Sequence, residues 1–227
     1  MKGVEYNKPK GIVFSIMSDG KFHTTVPDHT PGAIIREYET TSGAKGVKYE
    51  HIADAISGTI SNISLFESEY GKQIVISLDQ GEDLKTIYLS TNSPFGEDFM
   101  KKLPNIKPDK PVRLVPFAIE NENKKVRKGI TIYQGDPTGD KNQPPKISDY
   151  YHTKDGDKIL SINGYPAITG DTTSWDSDDW KLYFMQARKF LIEQTQKYPL
   201  YNKNIVENKM DYPTAESEGI DPNSVPF

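Results

Sequence analysis

The sequence predicts a mainly β protein built around a small barrel. Short runs with alternating apolar residues recur between residues 58 and 133, and turn-forming Gly, Asp and Asn residues separate several of them. One segment with helical spacing interrupts the series after its third run. The chain has 227 residues, of which 35% are apolar and 26% charged. That length suits one buried domain with extensions or two small domains.

Four weaker strand candidates precede this series. Residues 11–17 and 21–26 flank an Asp19-Gly20 turn, and residues 33–38 and 47–52 flank a connection rich in Gly, Ser and Lys. We expect residues 1–57 to form an N-terminal β extension of the barrel.

The first three runs of the series predict three consecutive strands. In the first, Thr59 to Phe66, the alternation slips near Asn62, which is typical of a β-bulge. The second and third runs cover residues 72–78 and 85–89, and each places its alternate apolar residues on one face. These inward residues are Ile60, Ile63, Leu65, Ile74, Ile76, Leu78, Ile87 and Leu89.

A helix and two more strands complete the series. Phe95, Phe99 and Leu103 have helical spacing after Pro94, and residues 111–119 and 128–133 alternate as strands do. Five short strands with a helix between the third and the fourth are the layout of an OB-fold, a partly open five-stranded barrel. We therefore assign residues 58–133 to an OB-fold core. Another small antiparallel barrel or a sandwich is the alternative.

The rest of the chain divides into three parts. Residues 134–176 are rich in Gly, Pro, Asp, Asn and Lys and predict a long loop. Residues 177–198 predict a C-terminal helix, with Ser177 as its cap and an apolar stripe packed on the barrel. Residues 199–227 predict a flexible acidic tail. The stripe consists of Trp180, Phe184, Ala187 and Leu191.

Several function classes find no support in the sequence. Without cysteine, disulfides and thiolate metal sites are excluded. A phosphate loop, a nucleophile motif, a secretory signal and an apolar run long enough for a membrane are all missing. We therefore expect no enzymatic activity, no cofactor, no metal, no membrane association and a cytoplasmic location. The rival is a nuclease or other metal enzyme that uses Asp171, Asp176, Asp178 and Asp179.

The charge of the chain is polarised. The net charge is −4, and residues 207–227 account for all of it with five acidic residues and one basic residue. Residues 101–130 carry nine basic residues against three acidic ones. A basic middle and an acidic end are typical of a protein that binds nucleic acid with its body.

The basic cluster coincides with a ligand-binding loop of the predicted fold. OB-folds bind oligonucleotides across strands 2 and 3 and through the loops joining strands 1–2 and 4–5. Aromatic side chains stack unpaired bases there, and cations bind phosphates. The alternatives are a solvated hairpin tip for the cations and a structural role for the tyrosines. The predicted residues for binding single-stranded DNA are Tyr70, Lys72, Lys85, Tyr88, Arg113, Lys124, Lys125, Arg127, Lys128 and Tyr133, with Phe117 as an alternative to Arg113.

The C-terminus carries the most specific motif. Scattered acidic residues lead to a terminal Val225-Pro226-Phe227. This ending resembles the acidic tip of bacterial and phage single-stranded DNA-binding proteins, and the extensions around residues 58–133 resemble the phage versions. Here Pro222-Asn223-Ser224 interrupts the acidic residues, whereas the family tip has contiguous aspartates.

The resemblance implies a docking tail and a function. Phe227 would enter an apolar pocket of a partner while its carboxylate pairs with a base. Glu216, Glu218, Asp221, Val225 and Pro226 would complete the contact. We expect a protein that coats single-stranded DNA with little sequence preference and recruits replication, recombination or repair proteins, in the host cytoplasm if a phage encodes it. The sequence leaves open whether the protein forms a homo-oligomer. The alternative function is that of a virion assembly or protein-interaction component without a nucleic-acid role.

Overall fold

The protein forms a curled nine-stranded β-sheet with a few helices. A computed structural model describes residues 11–39, 43–68, 71–81, 83–136, 143–156 and 158–202. The sheet contains β1 (Gly11–Ile16), β2 (Phe22–Val26), β3 (Ile34–Glu39), β4 (Lys45–Ala53), β5 (Ile56–Ser68), β6 (Gly71–Gln80), β7 (Asp83–Ser90), β8 (Pro111–Glu120) and β9 (Val126–Gln134). The remaining elements are the hairpin β10 (His152–Asp155) and β11 (Lys158–Ser161), the helices α1 (Pro94–Lys102) and α2 (Ser177–Thr195), and two 3-10 turns, Leu103–Asn105 and Thr172–Ser174.

The strand order joins the N-terminal strands to the predicted series. It runs β3-β4-β2-β1-β7-β6-β5-β8-β9, and all neighbours are antiparallel except β1 and β7. The five strands predicted for the core thus form one uninterrupted half, β7 to β9, with α1 connecting β7 to β8. The other four continue the same sheet, so the sheet has nine strands where the predicted core has five.

The predicted bulge lies in β5. Its register with β6 shifts between Ile60 and Asn62, and both Ile60 and Ile63 are buried on the inner side of the sheet. This confirms the slip predicted near Asn62. β6 pairs with β5 on both sides of the bulge, whereas β8 pairs only with residues 56–59 before it.

A glycine marks the place where the sheet curls back on itself. Gly20, in the β1–β2 turn, has a φ of 73°, and a Cβ there would lie 2.3 Å from the backbone nitrogen of Ala118 and 2.5 Å from the carbonyl carbon of Phe117. The turn therefore packs directly on β8, although β1 and β8 are the fourth and eighth strands of the sheet. Only glycine allows this approach and this φ without strain.

The core fills the inside of the curl. It is formed by the alternate apolar residues of β5 to β9 together with Phe14 of β1 and Phe22 of β2, and α1 closes it on one side with Phe95, Phe99 and Met100. Helix α1 also covers the free edge of β9, because Asp98 accepts a hydrogen bond from the Ile130 N–H at 2.7 Å and Lys102 donates one to the Ile130 carbonyl at 2.6 Å. The fully buried apolar strand residues are Phe22, Ile63, Ile74, Ile76, Leu78, Ile87, Leu114, Ile130 and Ile132.

Helix α2 packs with only its C-terminal half. Ala187 and Leu191 are buried, but Phe184 is 38% exposed and Trp180 is half-buried, so the prediction that the whole stripe packs on the barrel is wrong. The physical reason is that the two rings stack on each other at 5.8 Å, and Trp175 and Tyr183 join this aromatic cluster.

The start of α2 also differs from the prediction. Asp176, not Ser177, caps it, since its carboxylate accepts from the N–H groups of Asp178 and Asp179. Asp179 completes a capping box, because its side chain accepts from the Asp176 N–H at 3.1 Å. The helix ends at Thr195.

The segment predicted as a long loop contains the β10–β11 hairpin and a 3-10 turn. It is anchored by Tyr151 and Tyr165, which are buried and pack around Phe190 of α2. Burial raises the pKa of the Tyr151 phenol to about 12. The Ile147 N–H donates to the Ile132 carbonyl at 2.8 Å, so this segment also covers part of the β9 edge.

The first residues predicted for the tail are held on the sheet. The Ile63 N–H of β5 donates to the Leu200 carbonyl at 3.0 Å, and the Asn202 N–H donates to the Ile63 carbonyl at 2.8 Å. Residues 199–202 thus pair with β5 rather than belonging to the tail. The chain from residue 203 on lies outside the described residues.

Candidate nucleic-acid interface

Tyr88, one of the tyrosines predicted to stack bases, lies on the side of the sheet that faces away from the core. Tyr88 of β7 lies opposite Val75 of β6 and Ser15 of β1, and Val75 lies opposite Ser64 of β5. Residues directly opposite each other on neighbouring strands point to the same side of a sheet. We call the side that bears Tyr88, Ser15 and Ser64 the Tyr88 face. The apolar core lies on the other side.

The structure places three further predicted residues on the Tyr88 face. Arg113 of β8 lies opposite Ser57 of β5 and Tyr133 of β9, and the alternation along β9 adds Arg127 to the same side. Arg113 and Arg127 are exposed and Tyr133 is half-buried. On this face, a cation therefore lies directly opposite an aromatic ring at Arg113 and Tyr133.

Two ring contacts organise these cations. The Arg127 guanidinium lies 5.9 Å from the centre of the Phe117 ring, and the Lys146 ammonium lies 5.9 Å from the centre of the Tyr133 ring. Both are cation–π contacts, which orient the charge without neutralising it. Lys146 was not predicted, because its position beside Tyr133 depends on the pairing of segment 143–147 with β9.

The β8–β9 hairpin presents the remaining predicted cations. Asn121 forms the turn, since its side-chain oxygen accepts from the N–H groups of Asn123 at 3.1 Å and Lys125 at 2.8 Å. Lys124 takes a left-handed conformation with a φ of 57°, and both lysines are exposed. Within the described part of the chain, neither Lys124 nor Arg127 nor Arg113 forms an ion pair with a carboxylate. Their charge is thus available to an anion.

The other predicted cations lie elsewhere. The alternation along their strands directs Lys72, Lys85 and Lys128 to the core side, at positions near the strand ends. Lys72 pairs with Glu67 at 3.4 Å, and the Lys85 ammonium donates to the Gln80 side-chain oxygen. The structure therefore does not bring Lys72, Lys85 and Lys128 together with Tyr88.

Two buried polar atoms lie on the Tyr88 face. Among the described residues, the Asn62 side-chain nitrogen and the Ser64 hydroxyl have no hydrogen-bond partner, and Ser64 is fully buried. An unsatisfied buried polar group costs about 1–3 kcal/mol. Both follow the bulge of β5, so this part of the face retains polar residues at a cost in stability.

A buried ionic network stabilises the N-terminal strands. Glu50 of β4 accepts from Arg36 of β3 at 2.8 Å and contacts His23 of β2 at 3.0 Å, and the other ring nitrogen of His23 lies 3.0 Å from Asp19. Burial alone raises the pKa of Glu50, but the hydrogen bonds from Arg36 and His23 outweigh it, and the pKa is lowered. The network therefore holds Glu50 ionised.

The acidic segment before α2 has a structural explanation. Asp176 and Asp179 form the capping box, and Asp171 accepts from the Thr173 N–H at 2.9 Å. Hydrogen bonds from the backbone N–H groups of Asp179 and Asp178 lower the pKa of Asp176, and the one from Thr173 lowers that of Asp171. The described residues contain no group of three or more side chains arranged to hold a metal ion.

Seven predicted site residues lie outside the described residues. They are Tyr70 and, in the tail, Glu216, Glu218, Asp221, Val225, Pro226 and Phe227. Among the helices of the described ranges, none has the length and apolar character needed to cross a bilayer.

Comparison with known proteins identified no relative of this chain. No family model matches the chain, and neither a curated protein nor a solved structure is similar to it.

Proposed function

We propose that this protein is a single-stranded DNA-binding protein that uses the Tyr88 face and the β8–β9 hairpin. The observation that carries the proposal is the hairpin itself. It presents Lys124 and Arg127 without carboxylate partners among the described residues, and Arg127 lies beside the Phe117 ring. Cations that follow a phosphate backbone next to aromatic rings that stack bases are what single-strand binding requires.

We also propose that β5 to β9 form an OB-fold core. The order β7-β6-β5-β8-β9, with α1 between the third and fourth of these strands in the chain, supports this assignment. With β5 to β9 as the five OB-fold strands, the turn of the β8–β9 hairpin is the loop between strands 4 and 5, one of the two loops that bind oligonucleotides in OB-folds. Strand β1 pairs in parallel with β7 and extends the sheet beyond the core.

Binding would be electrostatic and largely independent of sequence. Lys124, Lys125, Arg127 and Arg113 would contact phosphates, and Tyr88 and Tyr133 would contribute rings on which bases stack. Lys72, Lys85 and Lys128 would add charge from the far side of the sheet without direct base contacts. Binding would weaken steeply with salt.

The tail would recruit partners. Val225, Pro226 and Phe227, with Glu216, Glu218 and Asp221 before them, would dock onto replication, recombination or repair proteins in the cytoplasm. The tether would raise the local concentration of each partner near the bound strand. A pull-down with full-length protein and with a variant lacking Val225 to Phe227 tests this, since only the full chain should retain such partners.

The direct test is fluorescence anisotropy with labelled oligo-dT and a duplex of the same length. We expect clear preference for the single strand at low salt, with affinity that falls as salt rises. Equal binding to both, or binding to neither, would contradict the proposal.

A protein-interaction role is the second candidate. Exposed apolar residues of α2 favour it: Leu182 is 50% and Met185 58% exposed, and at a spacing of three residues they lie on the same face of the helix. Such an apolar patch marks a contact surface in many proteins. Replacing Leu182 and Met185 with Ser would abolish assembly in this case, and single-strand binding would be absent from the wild-type protein.

A further inference from the structure

Helix α2 carries two large apolar residues on the side that faces away from the core. Leu182 is 50% exposed and Met185 is 58% exposed. Met185 and the buried Ala187 are two residues apart, which turns their side chains about 200° from each other around the helix. The exposed pair therefore lies where a further helix could pack on α2.

Two charged residues flank this pair at equal distances. Asp178 is four residues before Leu182, and Lys189 is four residues after Met185. The resulting spacing of four, three and four residues is that of the a and d positions in the seam of a coiled coil. Side chains at this spacing lie along one line of a helix. We call Asp178, Leu182, Met185 and Lys189 the outer stripe of α2.

The outer stripe is complementary to itself when two copies of α2 run antiparallel. If the points midway between Leu182 and Met185 meet, Leu182 of each copy faces Met185 of the other. In the same alignment, Asp178 of each copy faces Lys189 of the other. A parallel alignment would instead bring like charges together and place the two helix dipoles side by side in the same direction.

The charge of α2 as a whole has the same polarity. Its cap and first two turns contain three acidic residues and one basic residue, and its second half contains two basic residues and one acidic residue. Antiparallel copies thus bring the acidic end of each helix to the basic end of the other. These charged residues are Asp176, Asp178, Asp179 and Lys181 in the first part and Arg188, Lys189 and Glu193 in the second.

The charges at both ends of the stripe can take part in such contacts. Lys189 is exposed and forms no ion pair with a carboxylate of the described residues. Asp178 pairs with Lys181 at 3.0 Å, but the two side chains are 83% and 65% exposed, and an exposed ion pair of this kind contributes little. The carboxylate of Asp178 also has lone pairs for a second lysine.

We propose that the outer stripe of α2 binds the same stripe of a second copy of this chain, so that the protein forms a symmetric antiparallel dimer. The pairing of opposite charges at both ends of the stripe is what favours a second copy over an unrelated apolar partner. Two apolar residues per copy make a small contact, so the dimer would be weak and would form only as the protein concentration rises. The inference does not depend on DNA binding by the Tyr88 face.

Sedimentation velocity of the full-length protein, from low micromolar to near-millimolar concentration, measures the association. We expect the wild type to pass from monomer to dimer over this range. The double variant Leu182→Ser, Met185→Ser should stay monomeric and, because both residues are exposed, should fold as the wild type does, which thermal melting checks. A wild type that stays monomeric at every concentration, or a dimer that this variant leaves intact, would overturn the inference.

Charge reversal tests the antiparallel alignment. Asp178→Lys alone and Lys189→Asp alone should each raise the dissociation constant of the dimer by about 2- to 30-fold, the range of two exposed ion pairs. The variant with both changes restores opposite charges and should dimerise like the wild type.

Lys110→Asp, which reverses an exposed charge outside α2, is the control and should leave the dissociation constant unchanged. An equal loss in Lys110→Asp and Lys189→Asp, or a double variant no stronger than the single ones, would overturn the inference. The proposed function is judged separately by oligo-dT binding of the wild type, so either result can fail without the other.

Discussion

The two halves of the sheet are held together by different forces. Strands β5 to β9 bury a continuous apolar core against α1, with isoleucines such as Ile130 and Ile132 fully enclosed. Strands β3 and β4 leave Ile35 and Val47 more than half exposed, and the buried carboxylate of Glu50 on β4 instead contacts Arg36 and His23. The first half depends on area removed from water, and the second depends on backbone pairing and charge.

Because of this difference, the stability of the two regions should depend differently on pH. A core of interdigitated apolar side chains has one packed arrangement and is insensitive to pH between neutrality and mild acid. An ionic network changes with the protonation of its members, so β3 and β4 can loosen while the core persists.

The largest effect is expected in the core. Ile132→Ala should lower the free energy of unfolding by about 2–5 kcal/mol, because it removes buried methylenes and leaves a cavity. Ile35→Ala, a matched change on exposed β3, should cost less than about 0.5 kcal/mol. Urea unfolding followed by circular dichroism measures both. Similar losses for the two variants would show that β3 is packed as tightly as β9.

The ionic network should give the next largest effect. Glu50→Gln should cost about 2–3 kcal/mol, less than the roughly 3–5 kcal/mol of a fully buried pair, because the Arg36 side chain remains 28% exposed. Amide hydrogen exchange should become faster in β3 and β4 and stay unchanged in β8 and β9. Uniform acceleration across the sheet would mean that the two halves unfold together.

Acid should reproduce part of that loss in the wild type. The pKa of Glu50 is lowered in the folded protein, so its contribution is fully present above the unfolded value of about 4.3 and is lost as pH falls through the folded value. Unfolding curves at neutral pH and at pH about 3 should therefore differ more for the wild type than for Glu50→Gln. Because other carboxylates titrate in both proteins, the difference between them isolates Glu50. An identical pH dependence in both would contradict the assignment.

The smallest effect is expected on the Tyr88 face itself. Ser64→Ala removes a buried hydroxyl that has no hydrogen-bond partner in the described part of the chain, so stability should stay constant or rise by up to about 1 kcal/mol. Thermal melting against wild type measures it. A clear loss of stability would show that the hydroxyl is satisfied in solution.

Local sequence patterns predicted the individual strands and helices better than the way they pair and pack. Alternation at Ile74, Ile76 and Leu78 and the slip near Asn62 are read from neighbouring residues, and the strands and bulge follow them. The parallel pairing of β1 with β7 joins segments about 70 residues apart and has no local signal. The exposure of Trp180 and Phe184 likewise depends on their packing with Trp175 and Tyr183, which an apolar stripe alone does not reveal.

In the candidate site, too, local features could be predicted and contacts between distant segments could not. The basic hairpin was predictable because Lys124 to Lys128 are contiguous. The separation of Lys85 from Tyr88 could also have been inferred, since Lys85 is two residues before Ile87 and shares its inward side. Lys146 could not be joined to Tyr133 from the sequence, because the link is the pairing of segment 143–147 with β9.

The salt dependence of oligo-dT binding tests the central claim most directly. For the wild type, the logarithm of the affinity should fall linearly with the logarithm of the salt concentration, with a slope of about 0.7 per phosphate contact. The double variant Lys124→Ala, Arg127→Ala should bind more weakly and lower the slope by about 1.4, whereas Lys128→Ala, on the other side of β9, should change it little. A wild type with no preference for single strands, or an equal loss in Lys128→Ala, would contradict binding on the Tyr88 face.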